Sequence, residues 1–443
     1  MISAILNQIP VPKDIPLPLP LPEWLLVVIL VFSFLMHILF INLMVGGSIL
    51  TFWYEVKGLK KQEYDRLARH ISSTITVNKS LAVVLGVAPL LSINVLYTLY
   101  FYSSNALTGY AWLSIVPWVA VSFLIFYLHK YSWDRLASHK PIHLSILGTG
   151  IFSFLLIPFI FLTNINLMLF PEKWGEITGF FDALTLPNVF PRYFHFITAS
   201  MAVTGLFLAW WFGRRKFDAD TAFAPISKEW IRKQMLTLAL TATGIQFIIG
   251  PLLFLTLPSK GVSWGLFWVI LGGVTIAVIV MVQLWKLINE PEKQFGRRFY
   301  ISVILVAGIV SFMGTGRHIY RENALKTHRE MMAERTKAHW KAVKQAHENL
   351  LLPQVEGKEG SFLPGQNLFQ TNCAVCHAAT TRLVGPSMAE AAQIYRDNNE
   401  ALKLWIKNPG RKRMDYPAMT GFPHLSDKQL TEISDYVLQK EWN

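Results

Sequence analysis

Charged residues are scarce in this sequence of 443 residues. Asp, Glu, Lys and Arg make up 16% of it, whereas apolar residues make up 52% and Phe alone occupies 30 positions. A soluble globular protein carries about 25% charged residues, so an ordinary soluble class is excluded. Long apolar runs recur, each with roughly the 20 apolar residues that a membrane-crossing helix needs. The sequence therefore predicts an integral membrane protein in contact with the lipid bilayer.

Cysteine is scarcer still, because the chain contains only two, Cys373 and Cys376, with His377 directly after them. One disulfide is the most that they can form, but a two-residue loop is tight and leaves the histidine unexplained. Cys-x-x-Cys-His is the attachment motif of c-type haem. Thiols at this spacing add to the two vinyl groups of one porphyrin, and the adjacent histidine binds the iron as the proximal ligand. The motif therefore predicts one covalent haem c, which is attached outside the cytoplasm.

A second segment, downstream of the attachment motif, is a candidate for the other axial ligand. Met419 precedes a Leu-Ser-Asp run, which resembles the distal-ligand region of small monohaem cytochromes c. The resemblance implies Met419 as the sixth iron ligand, with Met414 and Met388 as the alternatives. Ser426 or Asp427 is the expected N-cap of the last helix.

The expected fold class is all-α, a polytopic helical membrane bundle of about eight spans followed by a small α-helical cytochrome c domain. The spans are expected near residues 22–54, 76–103, 110–130, 142–170, 192–213, 234–257, 264–288 and 299–320. The expected segments are a Pro-rich external N-terminus at 1–21, the membrane domain at 22–320, an external helix and linker at 321–360, and the cytochrome c domain at 361–443.

The segment between the last span and the cytochrome c domain predicts a helix that leaves the membrane. Residues 321–352 are rich in charge and contain neither Pro nor Gly. Pro353 and the glycines of the run at 356–360 predict a flexible joint after this helix. The histidines of this segment are not spaced one helical turn apart, so solvent exposure is expected rather than a metal site. They occupy positions 328, 339 and 347.

Basic residues are distributed unequally between the two sides of the predicted bundle. The loops after the first, third, fifth and seventh spans are rich in Lys and Arg, which predicts that they are cytoplasmic. An even number of spans then puts both termini outside, where haem c is attached. We therefore expect a multi-pass protein of the bacterial inner membrane with its cytochrome c domain on the periplasmic side. The net charge of +13 is explained by this distribution, and no nucleic-acid partner is expected.

The polar residues of interest inside the spans are histidines, because acidic residues are nearly absent there. An ionisable residue inside a span is a functional hypothesis by default. His37 lies at about mid-depth of the first span, whereas His195 and His318 lie near the outer ends of the fifth and eighth. We expect His37 and His195 to bind b-type haem, with His318 as the sixth ligand of the His195 haem. Arg192 and Arg317 lie at the outer level, where they could pair with haem propionates.

Four further histidines lie at the cytoplasmic ends of the predicted spans, at positions 70, 129, 139 and 143. A second haem on that side would complete a transmembrane electron path. The alternative, an ordinary interfacial position, is favoured here.

Four stretches in and around spans one to five form a recognisable set. They are HILF at 37–40, LGVA at 85–88, WDRL at 133–136 and FHFITAS at 194–200. With these stretches, spans one to five resemble the large subunit of cytochrome bd-type quinol oxidases. The resemblance implies that His37 binds a haem of the oxygen-reducing site and that His195 binds a low-spin haem b. It also implies a second, related membrane subunit.

This chain departs from that family at several functional positions. The second and third spans lack the family's proton-delivering carboxylates. The Gly-Thr-Gly-Arg-His stretch at 314–318 lacks the preceding Glu ligand, and the long quinol-binding loop is reduced to residues 258–262. The low-spin Met ligand of the seventh span has no counterpart here, although His318 could replace it.

Three functions follow from these patterns. In the first, the protein carries electrons through one or more b-haems and the fused c-haem, between a quinol or a partner membrane subunit and an external redox protein. The cofactors would then be haem c and haem b, with a quinone as a further candidate. In the second, it is a bd-like terminal oxidase that reduces oxygen with electrons from its c-haem. In the third, it is a membrane anchor that docks a cytochrome c domain to a larger respiratory complex.

Overall fold

Helices make up the regular secondary structure of the residues that the computed structural model describes, namely 19–77, 79–214, 217–290, 295–351, 363–411 and 413–442. The all-α prediction is confirmed. The chain divides into two compact units, Met1–Lys344 and Gln345–Asn443. Nearly all of the expected Pro-rich N-terminus, and the expected joint at 353–360, lie outside the described residues.

The first unit is a bundle of long apolar helices. Among the described helices, seven are long and apolar enough to cross a membrane, and a bent pair raises the number to eight if it counts as one span. Short 3₁₀ turns occur at Pro171–Glu176 and Ser259–Gly261. In chain order the helices are α1 (Glu23–Gly58), α2 (Gln62–Val77), α3 (Lys79–Leu96), α4 (Thr98–Thr108), α5 (Tyr110–Tyr131), α6 (Lys140–Leu167), α7 (Phe180–Leu184), α8 (Val189–Gly213), α9 (Ala219–Phe223), α10 (Lys228–Leu255), α11 (Trp264–Asn289) and α12 (Phe295–Leu351).

The second predicted span is broken rather than continuous. Helices α3 and α4 meet at an angle of 110°, because the backbone of Tyr97 leaves the helical region with φ −126° and ψ 36°. The Tyr97 hydroxyl donates a hydrogen bond of 2.7 Å to Glu322 Oε1 on α12. Glu322 of the last long helix therefore contacts the residue at which the second span breaks.

Small residues let the helices that carry His37 and His195 approach closely. A Cβ atom on Gly46 of α1 would lie 2.6 Å from the carbonyl oxygen of Ser200 on α8. A Cβ atom on Gly205 of α8 would lie 2.6 Å from the carbonyl oxygen of Met235 on α10. Close approach through small residues is how helices associate in membranes, where lipid supplies no hydrophobic drive.

The second unit is a small domain of short helices. They are α13 (Leu363–Asn372), α14 (Met388–Ile394), α15 (Asn399–Lys407) and α16 (Asp427–Gln439). Ser426 is the N-cap of α16, and its side chain and that of Gln429 form a reciprocal capping box. The core of this unit includes Phe369, Leu430 and Cys373, so the first cysteine of the attachment motif is built into the packing.

Candidate functional site

The Cys-x-x-Cys-His motif lies in a tight turn that continues from α13. The Cys373 amide donates to the Phe369 carbonyl at 2.7 Å, and the Cys376 and His377 amides both donate to the Cys373 carbonyl, at 3.1 and 3.0 Å. The two thiols are free rather than joined in a disulfide. Cys373 is buried and Cys376 is exposed. Burial raises the pKa of the free Cys373 thiol to about 11.

His377 is oriented so that one ring nitrogen is left for a metal. Its Nδ1 lies 2.8 Å from the Pro386 carbonyl oxygen. Because a carbonyl only accepts, Nδ1 carries the proton and Nε2 keeps its lone pair. Metal-binding histidines commonly donate their other N–H to such a carbonyl. A Cβ atom on Gly385 would lie 2.8 Å from Nδ1, so the ring fits here only against glycine.

Met419 lines an open cleft of about 570 Å³ with Lys407, Asn408, Pro409 and Gly421. The two alternative ligands have different surroundings. Met414 is 82% exposed, whereas Met388 is 5% exposed and belongs to the hydrophobic core of this unit. Met419 as the sixth ligand remains a prediction, and its place in a cleft suits a ligand better than either alternative.

His37 repeats the arrangement seen at His377. Its Nδ1 lies 2.8 Å from the Ala82 carbonyl oxygen on α3, so Nδ1 carries the proton and Nε2 is free. A Cβ atom on Gly86 would lie 3.0 Å from this Nδ1. The glycine next to the ring belongs to the Leu-Gly-Val-Ala stretch that resembles the bd-type family.

His195 contains a buried polar atom without a partner. Its Nδ1 is inaccessible to solvent and makes no hydrogen bond within the described structure. Its backbone carbonyl accepts a hydrogen bond of 3.3 Å from Gln246 Nε2 on α10. A buried polar group usually has a partner, so a histidine with an orphaned ring nitrogen fits a position that holds a prosthetic group.

His318 lies at the break between α3 and α4. Its Nδ1 is 3.4 Å from the Tyr97 hydroxyl, which in turn donates to Glu322. Arg329 pairs with the same carboxylate. This network orients the His318 ring. Within the described residues no hydrogen bond joins His318 to His195, so their shared haem remains a prediction.

Arg192 and Arg317 belong to a group of like charges. Arg192, Arg317 and Arg321 are electrostatic neighbours that repel one another. Arg192 Nε donates to Asn188 Oδ1 at 3.0 Å, and the Arg317 guanidinium lies 5.3 Å from the centre of the Phe34 ring. Among the described residues, no carboxylate forms an ion pair with Arg192 or Arg317. An anionic group would therefore be stabilised between them.

The expectation of a solvated His328 is wrong. This side chain is 8% exposed, and its Nδ1 lies 3.1 Å from the Tyr100 hydroxyl. The rings of Tyr100 and Trp174 pack against it. These partners come from α4 and from the 3₁₀ turn at Pro171–Glu176. The periodicity of α12 alone cannot indicate contacts with other elements. His339 is exposed, as expected, and His347 has no described side-chain environment.

A buried carboxylate was missed by the sequence analysis. Glu55 lies in the last turn of α1, is fully buried, and contacts His129 and His143. The signal was available, because Ser48, Thr51 and Glu55 recur at the spacing of one helix face. Both histidines lie at helix ends, and both are 1% exposed or less; their interfacial position stays a prediction.

Comparisons with known proteins identify similarity in the second unit. The family model of cytochrome c matches residues 362–441, which include the attachment motif and Met419. The cytochrome c6 of Cyanidium caldarium is 32% identical over 80 residues, 17% of this chain and 68% of that protein. The cytochrome c6 of Cyanidioschyzon merolae is 29% identical over 85 residues, 18% of this chain and 76% of that protein.

Proposed function

The chain belongs to the cytochrome c family through residues 362–441, and we propose that it is a membrane-bound cytochrome of b and c type. It would pass electrons between a quinol or a partner membrane subunit and an external redox protein. The cytochrome c domain implies covalent haem c and electron transfer. Bound haem supplies one-electron chemistry at iron, and the protein tunes it through the axial ligands and their hydrogen bonds.

The observation that carries the proposal is the shared arrangement of His37 and His377. In both, Nδ1 donates to a backbone carbonyl at 2.8 Å, and a glycine next to the ring has no room for a side chain. His377 belongs to a haem-attachment motif. The same arrangement at His37, inside the membrane bundle, supports a second haem there, held by its free Nε2.

His195 and the arginine group support a further haem b near the outer end of α8. The Nδ1 of His195 has no hydrogen-bond partner among the described residues. This fits a histidine that binds the haem iron, and it also fits one whose ring lies beside the porphyrin. Arg192 and Arg317 would bind the haem propionates, because charge-assisted hydrogen bonds from arginine to a carboxylate are stronger than those between neutral groups. His318, oriented by Tyr97, is the candidate for the sixth ligand.

The setting proposed for this chain is the bacterial inner membrane, with the haem c domain outside. Covalent attachment of haem c outside the cytoplasm and the basic loops on the opposite side both support it. The resemblance to the bd-type large subunit supports a second membrane subunit. The same proposal includes two domain assignments. Residues 22–320 form the membrane domain, and residues 321–360 form an external helix and linker.

Electron transfer from a quinol tests this function. The purified protein is mixed anaerobically with a reduced short-chain quinol in a stopped-flow instrument, and reduction of the c-haem is followed by absorbance. We expect His195→Ala to slow this reduction at least tenfold, while His339→Ala, an exposed control, leaves it unchanged. An equal rate in His195→Ala would contradict the proposal. Oxygen uptake that is lost in His37→Ala would instead identify an oxidase.

A further inference from the structure

We infer that Glu55, His129 and His143 form a binding site for one divalent first-row transition-metal ion such as Zn²⁺. The three residues come from three helices that converge at one end of the bundle. Glu55 lies near the end of α1, His129 near the end of α5 and His143 in the first turn of α6. Their side chains are 0%, 1% and 0% exposed, respectively.

The donor atoms converge on one point. One carboxylate oxygen and one nitrogen from each ring lie within 4.8 Å of one another. His129 Nε2 is 2.9 Å from Glu55 Oε2, and His143 Nδ1 contacts Glu55 Oε1. The two imidazole rings stack with centroids 4.0 Å apart. Two histidines and one glutamate are a ligand set that proteins use for zinc.

The hydrogen bond of His143 fixes which of its nitrogens can bind a metal. Its Nε2 lies 2.8 Å from the His129 carbonyl oxygen, so Nε2 carries the proton. In a neutral ring, Nδ1 then presents a lone pair, and it faces the Glu55 carboxylate, which also only accepts. A cation must lie between two such acceptors. The N–H bound to a carbonyl is also the usual way in which a metal-binding histidine is oriented.

The neighbouring charges leave the Glu55 carboxylate available to a cation. Lys140 Nζ lies 3.5 Å from Glu55 Oε1, but it pairs more closely with Asp65 Oδ1, at 2.6 Å. Asp65 thus balances Lys140. A proton shared between Glu55 and His143 would satisfy those two groups, whereas a metal ion would also bind the ring of His129, the third group at this point.

The site has room to adjust to an ion. With bonds of about 2.0–2.2 Å, ligand atoms lie roughly 3.3 Å apart around a tetrahedral zinc. His129 would have to retreat by well under ~1 Å from its present contact with Glu55 to reach such a spacing. A cavity of about 10 Å³ borders His129 and is lined by Ser48, Thr51 and Ser72. Two imidazoles and one carboxylate suit zinc and its neighbours rather than magnesium or calcium.

Zinc counting on the intact protein tests the site. The full chain, purified in detergent, is stripped with a chelator and dialysed to equilibrium against Zn²⁺, and zinc is counted by mass spectrometry of the elements. We expect one bound zinc ion per wild-type chain. In Glu55→Gln and in His143→Gln, the number of bound zinc ions per chain should be at least tenfold lower. The amide of the second variant can still donate to the His129 carbonyl.

The matched control is His139→Ala, which removes an exposed histidine close to the site and should keep one zinc per chain. The Tm of each variant in detergent, measured by intrinsic fluorescence on the metal-free samples, reports folding of the bundle independently of the zinc count. A wild-type protein that binds no more zinc than Glu55→Gln would overturn the site and leave a hydrogen-bonded carboxylate instead. This result does not depend on whether the bundle contains haem b.

Discussion

Tyr97 and Glu322 are joined by a hydrogen bond of 2.7 Å between the end of α3 and the middle of α12. Glu322 also pairs with Arg329, and Tyr97 lies 3.4 Å from His318 Nδ1. The bond therefore connects the broken span to the histidine that is the candidate sixth ligand.

Removing this bond should destabilise the bundle at its break. Tyr97→Phe deletes the donor and leaves the partly buried Glu322 with one partner fewer, which costs about 1–3 kcal/mol. We expect a Tm lower by several degrees in detergent, measured by light scattering or intrinsic fluorescence. Tyr102→Phe, at a side chain that is 61% exposed, is the control and should leave Tm unchanged. Equal values of Tm for all three proteins would show that the bond contributes nothing.

Haem attachment should depend on both thiols and not on the distal ligand. Replacing Cys373 and Cys376 together with Ser should abolish covalent haem while the membrane spans still insert. Met419→Ala should keep the covalent haem but lose the long-wavelength charge-transfer band of a His/Met haem. Haem staining on a denaturing gel and absorption of the oxidised protein check these outcomes. Loss of the band in Met414→Ala instead would reassign the ligand.

The capping box at Ser426 should contribute measurably to the stability of the cytochrome c domain. Ser426→Ala removes the acceptor for the backbone N–H of Gln429. This should lower the free energy of unfolding by about 1 kcal/mol. Ser426→Asp keeps an acceptor at the N-cap and should be close to wild type. Unfolding by guanidinium, followed at the haem absorption band, measures the difference. An alanine variant as stable as the aspartate variant would contradict the capping argument.

The orientation in the membrane gives a further prediction. A reporter active only in the cytoplasm should be silent when it is fused after Asn443, because the haem c domain is expected outside. The same reporter inserted after Lys61 should be active, because this loop is basic. The opposite pattern in cells would overturn the charge argument and the haem-compartment argument together.

Local signals in the sequence were sufficient where neighbouring residues determine the structure. The attachment turn, the N-cap at Ser426 and the long apolar helices all depend on residues within a few positions of one another. The predicted helix after residue 320 is part of α12, which runs without interruption from Phe295 to Leu351.

The features that the sequence analysis missed depend on contacts between distant residues. The break at Tyr97 involves Glu322, 225 positions away, and the burial of His328 involves Tyr100, 228 positions away. The expected first span ends at residue 54, so Glu55 was not weighed in the sequence analysis, although a buried carboxylate is costly without partners. Its nearest partners are His129 and His143, which only the packing of α1, α5 and α6 brings to it.

Counting the haems in the purified protein tests the central claim most directly. The pyridine haemochrome spectrum separates haem b from haem c, and both are expressed per chain. We expect one haem c and at least one haem b, with the same low-spin haem b signal lost in His195→Ala and in His318→Ala while haem c is retained. If the signal is lost in His195→Ala but kept in His318→Ala, His195 remains a ligand of this haem b and the sixth ligand is a residue other than His318. A protein with one haem c and no haem b would contradict the account and identify the membrane bundle as an anchor.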